Sequence, residues 1–187
     1  MILILRLLWL LLTRPRLRRR IAVTAPSELY LRVWPWDCDL NRHMTNARYA
    51  TRLDEGRMIL IHQLGLSGKL FRDRWMPVVG AVSLRFRREL PPLSAYRLIT
   101  RVVSWDERWF YVEQLFMRGD TPAAIAWVKV MLRAPAGPVP AAEVLRAIGQ
   151  DAPAPDLPAD FALWREINLS ARDRGSSEPV PGKTVSM

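Results

Sequence analysis

Between residues 78 and 133 the chain alternates hydrophobic and polar positions in four long runs. Val82, Leu84 and Phe86 are interleaved with Ser83, Arg85 and Arg87, the period-two pattern of a strand with one buried face. The runs cover 78–90, 95–105, 108–118 and 123–133. Their breaks hold Pro91-Pro92, Asp106-Glu107 and Gly119-Asp120, all turn formers, and the Asp106-Glu107 link is short enough for a hairpin. An earlier run, 28–36 (ELYLRVWPW), predicts an entering strand that stops near Pro35. Between it and residue 78 the period changes. Tyr49, Ala50, Leu53, Met58, Ile61 and Leu64 recur at mostly helical spacing, which predicts one long helix over 46–64 with Gly65 as its stop. Strand, long helix, then four consecutive antiparallel strands is an α+β order, with one helix beside one curved sheet. Beyond Pro135 the chain is rich in Pro and Ala. A short helix at 141–149, a linker at 150–159, a second helix at 160–172 and a loose tail at 173–187 are expected there. No internal repeat is seen.

The amino terminus has a different pattern. Residues 2–12 read ILILRLLWLLL, and Arg14, Arg16, Arg18, Arg19 and Arg20 follow. The apolar stretch is shorter than the about 20 residues needed to cross a bilayer. The basic cluster follows it rather than precedes it, and no small-residue cleavage site is clear, so it does not fit a secretory signal. Two readings stand side by side. Residues 1–20 form a helix in a membrane interface with the arginines on anionic headgroups, or they pack on the protein's own body or across a dimer. The domain division expected is 1–20, a main domain 21–150, and a partly flexible carboxy-terminal extension 151–187.

Composition narrows the chemistry. A chain of 187 residues, half of them apolar, can bury a core without staples. The single cysteine, Cys38, excludes an intramolecular disulfide and fits a reducing compartment. Two histidines and one cysteine leave little for a zinc site. The net charge of +10, nearly all from arginine, is compatible with nucleic acid, an anionic membrane or a phosphate-bearing ligand. No aromatic residues alternate with the arginine run, so nucleic acid is not expected. The expected location is cytoplasmic, peripheral on the inner face of the membrane under the interface reading.

The densest polar cluster is Asp37-Cys38-Asp39-Leu40-Asn41-Arg42-His43-Met44-Thr45-Asn46, with Tyr49 close behind. It falls where a strand meets the start of the long helix. The first N–H groups of a helix lack intrahelical acceptors and carry partial positive charge. They can polarise a thioester carbonyl and hold the oxyanion formed on attack. A nearby carboxylate can activate water or attack directly. Asp39 with the amides near Asn46 supplies both halves of an acyl transfer.

The spacing Asp37-x-Asp39-x-Asn41-x-His43-Met44-x-Asn46-x-x-Tyr49 resembles the signature of the 4-hydroxybenzoyl-CoA thioesterase-like hotdog superfamily, and the motif of acyl-ACP thioesterases within it. Trp75-Met76-Pro77-Val78-Val79-Gly80, Leu84-Arg85-Phe86-Arg87-Arg88 and Trp105-Asp106-Glu107-Arg108-Trp109-Phe110 are similar to a bacterial group of small thioesterase-like proteins. The resemblance covers roughly residues 1–150. It implies a hotdog fold, a curved antiparallel sheet wrapped around one long helix, with two protomers pairing their sheets and active sites at the dimer interface. Dimer and tetramer both stay open. It implies an acyl thioester hydrolase that releases free acid and coenzyme A from acyl-CoA, or acts on acyl-ACP, with no cofactor or metal. The family's aspartate falls on Asp39, its asparagine and histidine on Asn41 and His43, and its carbonyl-polarising amide near Asn46. Two positions depart from the pattern: a common glycine is Arg42, and the first of two asparagines is Thr45.

For each residue a structural reading stands beside the functional one. Asp39 is a catalyst or a helix-capping turn residue. Asp37 and Cys38 read as structural. Asn41 orients water or makes turn hydrogen bonds. His43 is a base or a support for Asp39, whereas His62 reads as ordinary. Tyr49 packs the helix on the sheet or lines the substrate site. Glu55 lines the pocket, or with Asp54 forms a solvated helix face. Arg85, Arg87 and Arg88 meet coenzyme A phosphates, or are the wet side of a strand. Trp34, Trp36, Trp75, Trp105, Trp109 and Trp127 are core or acyl-tunnel walls. The alternative function is a non-catalytic acyl-thioester or lipid-binding hotdog protein at the membrane surface, and a hotdog dehydratase is a further enzyme alternative.

Overall fold

The alternation between residues 78 and 133 forms strands where it occurs. The computed structural model describes the backbone of residues 2–177 and the side chains of residues 5–168. The chain runs α1 (Ile2–Thr13), β1 (Ser27–Arg32), α2 (Asn46–Leu64), α3 (Ser67–Arg72), β2 (Met76–Phe86), β3 (Ala95–Trp105), β4 (Phe110–Arg118), β5 (Thr121–Ala134), β6 (Gly137–Pro138), α4 (Ala141–Ala147) and α5 (Ala159–Ser177). All strand pairs are antiparallel, in the order β1-β3-β4-β5-β2, with β6 on β5. Register shifts at Val79/Ala81, Val102/Ser104 and Phe116/Met117 bend the strands and add twist. The curled sheet and the long α2 give the α+β hotdog arrangement.

β2 stops at Phe86, earlier than the pattern suggests. The N–H groups of Arg87 and Arg88 both donate to Ala123 O, at 2.8 and 3.0 Å, and turn the chain off the strand. The following segment returns to the opposite edge of the sheet. There Leu93 N–H donates to Val33 O at 2.8 Å, and Val33 N–H to Ser94 O at 2.9 Å. β2 is therefore an edge strand, bonded among the described residues to β5 alone. The short helix α3 lies outside the elements expected. The tail expected at 173–187 begins inside the last turns of α5, and its residues 178–187 lie outside the described residues.

α2 has the predicted bounds because both ends are capped. Thr45 Oγ1 accepts from Arg48 N at 3.4 Å, and Gly65 ends the helix at φ 91° with its N–H on His62 O and Ile61 O. The helix bridges two apolar clusters. Tyr49, Leu53 and Ile59 pack with Leu29, Leu98 and Phe116. Leu60 and Leu64 pack with Val102, Phe110 and Val128. Gly56 lies between these groups. An added Cβ there would stand 2.6 Å from Thr100 Oγ1, 2.8 Å from Gln114 Nε2 and 2.9 Å from Leu98 Cδ2.

Tyr49 and Phe116 pack edge to face at 4.8 Å. Trp75 and Trp105 are buried. Trp34 and Trp36, expected in the core or a tunnel wall, are instead on the surface, 40% and 68% exposed and stacked at 5.2 Å. The 3-10 turn that Pro35 starts sends Asp37 inward and leaves the two indoles outside.

α1 packs on the body. Leu10 is fully buried among Leu17, Leu29 and Leu31, with Leu7 and Leu11 packed against that cluster. By backbone contacts the chain divides into two compact units, 1–156 and 157–187. In the second, α5 carries Phe161 and Trp164 edge to face at 5.9 Å.

Gly56 gives a direct test of helix-to-sheet spacing. Alanine adds about 1 kcal/mol of helix propensity, but the overpacking costs about 1–3 kcal/mol and strains a buried amide. We expect Gly56→Ala to lower the denaturant midpoint at an unchanged slope. A midpoint equal to or above the parent's would refute the close approach.

Candidate active site

The polar cluster before α2 is folded around one buried carboxylate. Asp37 is 1% exposed and accepts from Trp34 N at 3.1 Å and from Arg52 Nη2 at 3.1 Å, with Arg48 Nε at 3.3 Å. Its carbonyl accepts from Thr45 N at 3.0 Å. Residues 38–44 therefore leave and rejoin the body at fixed points, closed by an isolated bridge between Cys38 and Met44. Met44 N–H donates to Leu90 O at 3.0 Å, which ties the loop to the segment after β2.

Asp39 stands on this loop, exposed to solvent. Its Oδ1 accepts from the N–H groups of Asn41 at 2.9 Å and His43 at 3.4 Å. Its Oδ2 meets no partner among the described residues. Arg42 N–H donates to Asp39 O at 3.0 Å, closing a tight turn. Arg42 itself adopts φ 61°. This is the left-handed conformation that glycine takes freely and other residues take at a cost of about 1–2 kcal/mol. Arg42 thus holds a backbone conformation that glycine would take without strain.

The start of α2 lies beside Asp39. Thr45 takes the Arg48 N–H, and Tyr49 N–H donates to Thr45 O at 3.2 Å. The N–H groups of Asn46 and Ala47 meet no acceptor among the described residues. They are the orphan donors of a helix N-terminus. Asp39, His43, Asn46, Tyr49 and Arg87 line one open groove, with Arg88 and Glu89.

Each remaining candidate has a definite place. The His43 side chain does not support Asp39: its Nε2 meets Glu89 Oε2 at 2.8 Å. Asn41 is exposed, and its backbone N–H, not its side chain, holds the aspartate. Tyr49 is buried and pushed up to about 12 by burial, so it packs and does not titrate near neutral pH. Arg85 is exposed on β2 and does not line the groove, since the pleat turns it away from Leu84 and Phe86.

Glu55 neither lines the groove nor forms a solvated face. It is fully buried, with Oε1 2.8 Å from Arg52 Nη1 and 2.5 Å from Arg6 Nε, the latter without hydrogen-bonding angles. Burial pushes its carboxyl up, against the pull of Arg52 and Arg6. Cys38 donates to Trp34 O at 3.6 Å, and desolvation with Asp37 and Asp39 raises its thiol, the wrong direction for a nucleophile.

A second cavity, of about 240 Å³, lies between α2 and the β4-β5-β2 half of the sheet. Met58, Ile61, Val79, Val112 and Val130 make it strongly apolar. Asp54 and Arg57, paired with each other, are its charged residues. It shares no lining residue with the Asp39 groove. No local sequence signal marks Glu89 as a partner for His43, because the contact depends on the return path after β2. The Asp54–Arg57 pair had a weak sign in its i,i+3 spacing. Among the described residues no group of three or more His, Cys, Asp or Glu side chains is placed to hold a metal ion.

Known proteins identify the family. Residues 33–148 match the model of the Thioesterase-like superfamily. Protein THEM6 of Drosophila melanogaster is 31% identical over 159 residues, 83% of this chain and 80% of that protein. Thioesterase poxG of Penicillium oxalicum is 33% identical over 120 residues, 57% of this chain but only 38% of the fungal enzyme. In fold, the structure of a 1,4-dihydroxy-2-naphthoyl-CoA thioesterase from Synechocystis matches with a TM-score of 0.57 at 11% identity, over 67% of this chain and 96% of that one. A family match from the end of β1 through α4, together with a relative aligned over most of both lengths, shows that the chain belongs to the thioesterase-like superfamily.

Proposed function

We propose that the protein hydrolyses acyl-coenzyme A to the free acid and coenzyme A, with Asp39 carrying the chemistry. One observation carries this reading: a carboxylate with one oxygen held by two backbone amides and the other without a partner among the described residues, beside two helix N-terminal amides that likewise meet no acceptor among them. Asp39 Oδ2 takes a proton from water, and the hydroxide formed attacks the thioester carbonyl. The oxyanion is stabilised by the N–H groups of Asn46 and Ala47. Collapse expels the coenzyme A thiolate, which takes up the proton. Arg87 and Arg88 meet the phosphates of the carrier, where exposed guanidinium groups suit them. The His43 imidazole, held by Glu89, bounds the groove, and His43 reaches the Asp39 carboxylate through its backbone N–H alone.

The apolar cavity takes the acyl group. Within one protomer it is separate from the groove, but both rest on β2: Val79 lines the cavity and Phe86 the groove. Antiparallel pairing of two β2 edges brings the Asp39 end of one copy to the cavity end of the other. The unpaired edge of β2 and its exposed Val79, Val82 and Phe86 support such a dimer.

Thiol release from a panel of aliphatic and aromatic acyl-CoAs tests the chemistry. Asp39→Asn is expected to lose about 10²–10⁴-fold in rate with unchanged melting, and an equally active variant removes Asp39 from the mechanism. Hydrolysis of acyl-ACP alone would move the carrier assignment and leave the site standing.

Arg42→Gly is expected to keep thiol release and to gain roughly 1 kcal/mol of stability by relieving the left-handed arginine. Loss of activity without loss of stability would give the arginine side chain a part in binding.

Val82→Asp puts like charges on both paired edges. Sedimentation should show half the parent mass, with thiol release falling in parallel. A monomeric, fully active parent would end the shared-site reading.

A further inference from the structure

The first helix is apolar on two sides, and among the described residues only one of them packs on the body. Leu7, Leu10 and Leu11 pack into the body, and Arg6 reaches Glu55 beneath it. Leu5, Leu8, Trp9 and Leu12 face solvent with exposures of 61%, 52%, 55% and 70%. Their spacing of three, four and seven places them on one stripe along the helix. An exposed stripe of large apolar residues on so short an element marks an interaction surface. Its partner is not the hydrocarbon core in a spanning sense, because no helix among the described residues is long and apolar enough to cross a bilayer.

The charge around the stripe identifies that partner. Arg14, Arg16, Arg18, Arg19 and Arg20 follow the helix, and the first acidic residue of the chain is Glu28. Part of this run is internal. Arg18 caps α1 through Leu11 O at 2.7 Å, Arg20 caps α2 through His62 O at 3.0 Å, and Arg14 reaches Tyr30 O. The side chains of Arg16 and Arg19 are exposed, and their guanidinium groups meet no partner among the described residues. A groove beside the stripe is walled by Leu8, Leu11 and Leu12, with Arg18, Arg20 and His62 completing it. Leucine walls beside guanidinium groups match an acyl chain below a phosphate headgroup.

We propose that the outer face of α1, with Arg16 and Arg19, is a docking surface for an anionic lipid bilayer. Leu5, Leu8, Trp9 and Leu12 enter the headgroup boundary, where an indole is well placed. The arginines meet lipid phosphates. The packed inner face of α1 holds the helix to the body, so the surface is already formed before binding. A second copy of the chain does not fit this face as well, because pairing the two stripes would bring two acid-free arginine runs together.

The full chain is mixed with vesicles of phosphatidylcholine, with and without phosphatidylglycerol, and sedimented. It should pellet with the anionic vesicles and stay in the supernatant with the neutral ones. Arg16→Gln with Arg19→Gln should weaken binding by roughly fivefold per arginine. Leu8→Glu with Trp9→Glu should abolish it, and both variants should melt like the parent because all four side chains are exposed. A parent that stays in solution overturns the proposal. So does a Leu8/Trp9 variant that binds like the parent, which would reduce the effect to general charge attraction. A change of mass in that variant without vesicles would make the face a protein interface and equally overturn it.

Discussion

A line of charges inside the protein joins the site loop, the long helix and the first helix. Arg48 and Arg52 hold Asp37, Arg52 also holds Glu55, and Glu55 meets Arg6 of α1. Asp37, Arg52 and Glu55 are all nearly or fully buried. Such an arrangement contributes little net stability over well-packed apolar residues, but losing one partner leaves a buried charge unpaired, at about 3–5 kcal/mol. Its value here is positional. Asp37 fixes where the loop leaves β1, so Asp39 two residues on is placed against the helix start. Glu55 fixes where α1 lies, so the solvent face of α1 is set by the same ions. The site loop and the exposed leucine stripe are held from opposite ends of one network.

The second constraint is the approach of α2 to the sheet at Gly56. Gln114 is fully buried and fully used: its Nε2 donates to Leu53 O at 3.1 Å and Thr100 Oγ1 at 3.0 Å, and its Oε1 accepts from Arg57 Nη1 at 2.8 Å. This polar layer separates the two apolar clusters that α2 bridges. It also orients Arg57, whose other nitrogen pairs with Asp54 at the apolar cavity. A small residue mid-helix thus sets the depth of the helix in the sheet, and through Arg57 it shapes the wall of the cavity.

These two features explain what the sequence made legible. Periodicity read α2 at 46–64 and β3 at 95–105, because both have regular apolar faces and clear end signals. Asp39 beside the helix start was legible from the density of polar residues before an apolar helix. The fate of Glu55 was not, since no local pattern distinguishes a carboxylate facing water from one facing two arginines of which one lies in another element. Arg85 and Arg87 looked alike in sequence, yet only Arg87 reaches the groove, because the strand ends between them at Phe86. His43 found Glu89 through the path the chain takes after β2, a tertiary fact with no trace in either residue. Trp34 and Trp36 failed as core residues for a local reason: burying Asp37 turned the preceding pair outward.

β2 concentrates the remaining tension in the fold. It is eleven residues long, lies at the sheet edge, and presents Met76, Val79, Val82 and Phe86 at the surface. Edges of this kind are normally shortened, charged or covered, because free N–H and C=O groups beside apolar side chains invite another strand. Here Pro77 and the exposed Arg85 guard only parts of it, and the middle from Val78 to Ser83 carries no charge at all. The same middle stretch borders the apolar cavity, while its far end borders the Asp39 groove. An isolated protomer therefore leaves exposed the strand that both halves of the proposed site depend on. Covering that strand with its own copy would satisfy the edge and, in the proposed mechanism, bring the groove of one chain to the cavity of the other, so one contact would answer both the fold's least protected element and the proposed chemistry.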